Sequence, residues 1–154
     1  YATFLNRAFD QVLMDVGLHR EAVTIVLDRA GLTGTDGASH NGVWDMALLS
    51  HVPGLHLAAP RDEVSLREGL RTAVATTDAP TVLRYPKGAL PDPVPALRVL
   101  GPQDAPFEAV DVLAEPSQEF ACDEHLLLVA VGAMTSTVLA AGRALPATAA
   151  AKWQ

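Results

Sequence analysis

The chemistry in this chain concentrates in one stretch, Asp28-Arg29-Ala30-Gly31-Leu32-Thr33-Gly34-Thr35-Asp36-Gly37-Ala38-Ser39-His40. It holds an arginine, two carboxylates and an imidazole among three glycines. A guanidinium grips carboxylate or phosphate in bidentate fashion. A carboxylate and an imidazole such as Asp36 and His40 can hydrogen-bond hydroxyls or move protons. The run before the loop, Val23-Thr24-Ile25-Val26-Leu27, is apolar and rich in β-branched residues, which reads as a buried strand. Loops at the carboxyl ends of parallel strands are where α/β proteins place ligands. Arg84 ends a similar run, Thr81-Val82-Leu83-Arg84-Tyr85, so Arg29 and Arg84 could meet at one rim of a sheet. Two arginines there suit a phosphorylated or carboxylated substrate. The plainer reading is a glycine-rich turn with solvated charges, in which Arg29 pairs with Asp28 or Asp36.

Several other patterns fail on inspection. Asp36 and His40 have a metal-ligand spacing on a helix, but Gly37 between them argues for loop. Asp36-Gly37 has no Asn at the spacing of a thiamine-diphosphate magnesium motif. There is no P-loop, and no G-x-G-x-x-G follows a strand. His19, His51, His56 and His125 are isolated, and a structural or surface role is the default for each. Cys122 has no base nearby in sequence and reads as inert.

The elements that must position the loop alternate between helix and strand. Thr3 is placed to cap a helix reaching about His19, with Leu5, Phe9, Val12, Leu13 and Val16 at helical spacing. Trp44 to His51 reads as a short helix stopped by Pro53-Gly54, and Leu55 to Ala59 as a second strand. Pro60-Arg61-Asp62-Glu63 opens another helix, with acids in the first turn where the macrodipole favours them. Leu66, Leu70 and Val74 are expected to form its buried stripe. Asp78-Ala79-Pro80 breaks that helix ahead of the third strand, 81–85. This alternation predicts a parallel sheet with helices on both faces, an α/β fold.

Past Gly88 the texture changes. Proline recurs at 91, 93, 95, 102 and 106, a linker composition. Residues 1–98 balance nine Lys or Arg against eleven Asp or Glu, whereas 99–142 hold seven acids and no Lys or Arg. That acidic stretch reads as a solvated linker face. Leu126-Leu127-Leu128-Val129-Ala130-Val131 reads as a strand, then Gly132 and a helix from about Thr135 to Leu145, the first βα unit of a second α/β domain. The expected organisation is a domain over 1–90, a Pro-rich acidic linker over 91–124 and a truncated second domain over 125–154.

With 49% hydrophobic and 19% charged residues, the chain is globular in composition. The net charge of −7 and the lack of any basic stripe disfavour nucleic acid. No apolar run approaches the roughly 18 residues needed to cross a bilayer. No basic segment followed by an apolar one opens the chain, and a lone cysteine fits a reducing compartment. Because it starts at Tyr1 and ends in Ala-rich sequence, the chain is expected to be a piece of something larger.

Read together, Tyr1-Ala2-Thr3-Phe4-Leu5-Asn6-Arg7-Ala8-Phe9-Asp10-Gln11, Asp28-Arg29-Ala30-Gly31, Asp36-Gly37 and His40 resemble the 1-deoxy-D-xylulose-5-phosphate synthase family, transketolase-like thiamine-diphosphate enzymes. Arg84-Tyr85-Pro86-Lys87-Gly88 and Val129-Ala130-Val131-Gly132 fit the same pattern. The resemblance covers about residues 1–145 and is most specific at 1–11 and 28–45. A transketolase normally reads Thr-His-Asp-Ser where this chain has Asp28-Arg29-Ala30-Gly31. Transketolase itself or a 2-oxoacid dehydrogenase β subunit would share the fold without that loop, and a non-catalytic interaction module would have no use for its charges.

The resemblance implies a transketolase-type pyrimidine-binding domain in an enzyme that joins pyruvate to D-glyceraldehyde 3-phosphate with loss of carbon dioxide. The product, 1-deoxy-D-xylulose 5-phosphate, feeds isoprenoid, thiamine and pyridoxal phosphate synthesis. The cofactors implied are thiamine diphosphate and Mg2+, with the metal ligands in a part preceding Tyr1. Phe4 would stack near the cofactor's aminopyrimidine, with Tyr1 and Arg7 beside it. Arg29, Asp36 and His40 would line the acceptor pocket, Asp36 and His40 as catalytic groups, while Arg84 would help hold the substrate phosphate. A cytoplasmic homodimer is implied for the longer parent, and no turnover for this piece alone.

Overall fold

A computed structural model describes residues 1–102, 106–115 and 126–144. The four residues Thr81–Arg84 form the central strand of a three-stranded sheet, because Thr81, Val82 and Leu83 can all be buried at once. Parallel strands covered on both faces select such continuous apolar runs. The first strand in the chain, β1 (Thr24–Leu27), pairs parallel with this strand in the register Thr24 to Thr81 through Leu27 to Arg84. On its other side lies β2 (His56–Ala58), also parallel, so the sheet order is β1-β3-β2 with Thr81–Arg84 as β3. The expected strands and their parallel pairing are therefore present. Thr81 donates its hydroxyl to Thr24 Oγ1 at 3.1 Å, and Thr24 donates to the Ala73 carbonyl at 3.2 Å, which satisfies the polar groups in the buried layer.

The helical run α1 covers Ala2–Ala8, Phe9–Gln11 and Val12–Gly17, and its winding changes along its length. It starts as a tight 3-10 helix and ends as a wide π turn, with Leu18 N–H bonding to the Leu13 carbonyl. Val12 is buried in the core with Leu5, Phe9 and Leu13 packed around it, as their spacing predicts. Gly17 allows the close approach at the wide turn, since a Cβ there would lie 2.5 Å from Val52 Cγ1. Thr3 lies inside the run rather than capping it, and its hydroxyl donates instead to the Ser39 carbonyl at 2.9 Å. The second helix, α2 (Asp45–Leu49), is shorter than expected and buries Leu49.

The helix α3 (Glu63–Ala75) is capped by Asp62. Asp62 accepts from the Ser65 N–H at 2.8 Å, and the Ser65 hydroxyl accepts from the Asp62 N–H at 3.0 Å. Its inner stripe is Leu66, Gly69 and Ala73, not Leu66, Leu70 and Val74. Leu70 is 43% exposed and Val74 67% exposed. The cause is Gly69: a Cβ there would stand 3.1 Å from Leu83 Cδ1, so β3 lies under the glycine and the larger side chains turn outward.

Asp62 also accepts from Val94 N–H at 2.9 Å, which ties the proline-rich segment to the start of α3. Burial raises the Asp62 carboxyl, but hydrogen bonds from Ser65 and Val94 N–H groups and the Ser65 hydroxyl outweigh it, with the Arg61 charge, and hold it below 3.8. A folded-state value below the unfolded one means stability that is complete above the ordinary carboxylate range and is lost as pH falls through the folded value. Asp62→Ala should cost about 2 kcal/mol at neutral pH, from the lost cap and the stranded donors. Urea unfolding also checks the pH sign: Asp62→Asn should flatten the loss of stability between about pH 5 and pH 2.

The acidic stretch is more than a solvated linker face. Arg98–Leu100 (β4) and Val110–Val112 (β5) make a two-stranded antiparallel ribbon. Asp111 pairs with Arg61, and Glu115 accepts from Arg98 at 2.6 Å, so two of the acids hold the ribbon in place. Asp104, Glu119, Cys122, Asp123, Glu124 and His125 lie outside the described residues.

The expected strand at 126–131 forms no ladder, and Leu127 is 83% exposed. A parallel strand needs a neighbour for its backbone groups, and none of the described residues supplies one. The helix that follows, α4 (Met134–Ala144), is present as expected, with Thr135 donating to the Gly132 carbonyl at 2.7 Å. Gly132 rests over Ala59, where a Cβ would lie 3.5 Å from the Ala59 carbonyl oxygen, so the start of α4 lies against the Ala59–Pro60 backbone.

Candidate active site

The tight winding at the start of α1 explains how two of the expected site residues, Tyr1 and Phe4, come together. A 3-10 helix has three residues per turn, so side chains at i, i+3 and i+6 align on one face. Tyr1, Phe4 and Arg7 have that spacing. The Tyr1 and Phe4 rings stack with centroids 5.3 Å apart and planes 11° apart, yet remain 40% and 45% exposed. Arg7 is exposed further along the run and has no ion-pair partner among the described residues.

The loop after β1 brings its chemistry to the same place. Arg29 adopts φ 55°, a left-handed backbone that is rare for a residue with a long side chain. Its neighbours enforce that turn. Ala30 N–H bonds to the Tyr85 carbonyl at 2.9 Å, and Gly31 and Gly42 exchange both backbone hydrogen bonds at 2.7 and 2.8 Å. Gly42 must be small, because a Cβ would lie 2.5 Å from Ala2 Cβ and 2.9 Å from the Arg29 carbonyl oxygen. The result places the Arg29 guanidinium over the Tyr1 ring, 4.1 Å from its centre. A cation over an aromatic face is held by the ring's quadrupole.

His40 closes the cluster from the other side. Its ring stands edge-on to Phe4 at 5.8 Å and to Tyr1 at 6.3 Å. The turn carrying it is pinned by Thr3 on α1, and Asn41 Oδ1 accepts from the Thr33 N–H at 3.0 Å and its hydroxyl at 3.2 Å. Ser39 Oγ lies 3.1 Å from His40 Nδ1, which leaves Nε2 as the nitrogen with no hydrogen bond among the described residues.

Asp36 completes the group, between two cations. One of its oxygens, Oδ2, lies 2.7 Å from Lys87 Nζ and 3.6 Å from Arg29 Nη1. The Lys87 hydrogen bond holds the Asp36 carboxyl below 3.8, against a smaller opposing effect of burial and with help from the charges of Lys87, Arg29 and His40. Lys87 was the residue that sequence spacing missed as part of the site. Two signals were available: its membership of the Arg84-Tyr85-Pro86-Lys87-Gly88 segment that carries the family resemblance, and its place two residues past Tyr85 at the end of the third apolar run.

Arg84 has a different setting. It donates from Nε to Asp45 Oδ2 at 2.8 Å and from Nη2 to Asp45 Oδ1 at 3.4 Å. The Asp45 side chain is fully buried and that of Arg84 is 13% exposed. The rim thus joins Tyr1, Phe4, Arg29, Asp36, His40 and Lys87 in one cluster, while Arg84 is engaged with the start of α2.

A family model for the pyrimidine binding domain of transketolase matches residues 1–93. The chain belongs to this family. Among curated relatives of this transketolase-type domain, the 1-deoxy-D-xylulose-5-phosphate synthase of Kocuria rhizophila is 57% identical over 153 residues, covering 96% of this chain and 22% of its own length. The synthase of an Arthrobacter species is 59% identical over 139 residues, covering 90% and 20%. The chain therefore spans about a fifth of the length of the curated relatives it matches. A solved structure described as a split gene transketolase, inactive beta4 tetramer, matches 99% of this chain and 45% of its own, with a TM-score of 0.74 at 24% identity. That likeness shows the transketolase-type fold. No helix among the described residues is long and apolar enough to cross a membrane.

Proposed function

We propose that this chain is the pyrimidine-binding part of a thiamine-diphosphate-dependent synthase that condenses pyruvate with D-glyceraldehyde 3-phosphate, giving 1-deoxy-D-xylulose 5-phosphate and carbon dioxide. The observation that carries the reading is the exposed, stacked Tyr1–Phe4 pair with Arg29, Asp36 and His40 gathered round it at the carboxyl edge of the sheet. An exposed aromatic pair fits a flat heteroaromatic ring such as an aminopyrimidine. When bound, thiamine diphosphate supplies the carbanion chemistry that decarboxylation and carbon–carbon bond formation require.

The residues of this chain then have separate tasks. Phe4 offers a ring face to the cofactor, with Tyr1 stacked on it beneath the Arg29 guanidinium and Arg7 on the same helix face. Arg29 presents a guanidinium to the phosphate of the triose, where two parallel N–H donors match the oxyanion. His40 Nε2 is placed to hydrogen-bond or hold a proton for the acceptor's carbonyl oxygen, and Asp36, kept ionised, accepts from a hydroxyl. Arg84 holds Asp45, so any part it takes in holding the phosphate shares its guanidinium with that carboxylate. By the resemblance to the synthase family, Mg2+ is assigned to a part of the longer protein preceding Tyr1. That parent is read as a cytoplasmic homodimer acting on small molecules rather than on nucleic acid or membrane.

The test is to supply a full-length protein carrying this segment with pyruvate, glyceraldehyde 3-phosphate, thiamine diphosphate and Mg2+. Formation of 1-deoxy-D-xylulose 5-phosphate supports the reading. Transfer from a ketose phosphate donor with no turnover of pyruvate overturns it in favour of a transketolase.

A further inference from the structure

Two aromatic neighbours fix the plane of the His40 ring but not which of its atoms points where. The ring stands edge-on to both Phe4 and Tyr1. A half-turn about χ2 exchanges Nδ1 with one ring carbon and Nε2 with the other, and it leaves the shape of the ring almost unchanged. Aromatic packing is therefore nearly blind to that half-turn. The contact that discriminates is Ser39 Oγ, 3.1 Å from Nδ1, because after the half-turn the hydroxyl would face a carbon.

Ser39 is itself held in place by the rest of the site. Its carbonyl accepts from Thr3 Oγ1 at 2.9 Å, so the helical run that carries Phe4 also fixes the turn that carries His40. On the other side of His40, Asn41 Oδ1 accepts from the N–H and the hydroxyl of Thr33, which is buried. The His40 N–H bonds to the Gly37 carbonyl at 3.1 Å. The backbone on both sides of His40 is thus pinned, to partners 36 and 8 positions away, and the remaining freedom belongs to the ring.

We propose that Ser39 is a positioning residue for His40: its hydroxyl donates to Nδ1, which selects one of the two ring orientations and puts the proton on Nε2. The hydrogen bond that one imidazole nitrogen makes sets the protonation of the other. Nε2 then faces the cluster as a donor, suited to an acceptor's carbonyl oxygen. That task for Nε2 rests on the synthase reading, whereas the orientation of the ring does not. Ser39 is exposed, so Ser39→Ala should unfold at nearly the same temperature as the parent sequence.

Nitrogen-15 spectra of this chain with labelled histidine, taken at a pH where the imidazole is neutral, read the state of each ring nitrogen. His40 is expected to show a protonated Nε2 and an unprotonated Nδ1. Ser39→Ala should draw the two resonances toward a common average as the tautomers mix. Ser39→Thr keeps a hydroxyl on Cβ and should restore their separation. A merely structural serine would change the unfolding temperature and leave the ring nitrogens where they are. In a full-length protein carrying this segment, Ser39→Ala should lower kcat about three- to tenfold, the size of one neutral hydrogen bond, with both Michaelis constants within about twofold. Ser39→Thr should recover most of that turnover. A protonated Nδ1 in the parent sequence, or ring nitrogens unmoved in Ser39→Ala, overturns the proposal whatever substrates the longer protein uses. Unchanged turnover in Ser39→Ala overturns it as well. Failure of the longer protein to turn over pyruvate with the triose phosphate instead counts against the synthase reading alone.

Discussion

Arg84→Ala should cost the domain about 3–5 kcal/mol, the loss expected when one partner of a buried ion pair is removed. Asp45 has no exposed side-chain surface, and Arg84 covers both of its oxygens. Without the guanidinium, a carboxylate remains in the interior with no counter-charge among the described residues. A loss of this size is a large part of the total stability of an ordinary domain. Denaturant unfolding of this chain measures it. Asp45→Asn with Arg84→Met should recover much of it, because a neutral pair removes the stranded charge. A change below about 1 kcal/mol, the level of an exposed pair, would contradict the buried assignment. This also conditions any reading of Arg84 as a phosphate ligand: weakened substrate binding in Arg84→Ala has to be compared with the folded fraction, and Arg84→Lys is the better probe.

Arg29→Ala should act on binding and not on the fold. In a full-length protein carrying this segment, the Michaelis constant for glyceraldehyde 3-phosphate is expected to rise about ten- to hundredfold, with that for pyruvate nearly unchanged. The guanidinium's only carboxylate neighbour among the described residues is Asp36 at 3.6 Å, so little folding energy depends on it. Arg29→Lys should rescue only partly, since an ammonium has neither the planar fork nor the same fit to the Tyr1 face. His40→Ala should instead lower turnover, the result of removing the imidazole that faces Phe4 and Tyr1. Steady-state constants for both substrates in the three variants decide the matter. Equal losses for pyruvate and the triose phosphate in Arg29→Ala would make Arg29 a structural residue and remove it from the site.

The parallel sheet was legible because runs such as Thr81-Val82-Leu83 have few other stable settings, and the core stripe of α1 because Leu5, Phe9, Val12 and Leu13 repeat at a helical period. The stripe of α3 was misplaced because periodicity weights large side chains. Here the deciding residue, Gly69, has none, and the helix packs on the glycine. Most of the candidate site could be read as a list, since Arg29, Asp36 and His40 share a loop and the family resemblance singles out Tyr1, Phe4 and Arg7. Its pairings could not. Asp36 with Lys87 and Asp45 with Arg84 join residues 51 and 39 positions apart, and only strand register and loop path bring them together. The apolar stretch at 126–131 pairs with no described strand: an apolar run shows that a segment can be a strand, not that a neighbour is available.

The hydrogen bonds between the ends of β1 and β3 continue past the strands, with Tyr85 N–H on the Leu27 carbonyl and Ala30 N–H on the Tyr85 carbonyl, before Lys87 reaches Asp36. The loop at 28–42 and the segment at 84–87 are therefore sewn together by backbone and then by charge. An engineer who transplanted the first segment alone into a sister scaffold would deliver a carboxylate without its ammonium and a left-handed arginine without the carbonyl that anchors the residue after it. A single-residue insertion in either piece would shift the seam and separate the charges, even with every side chain retained. The heritable module at this edge is thus a pair of distant segments, and swaps between homologues should preserve affinity only when both travel together.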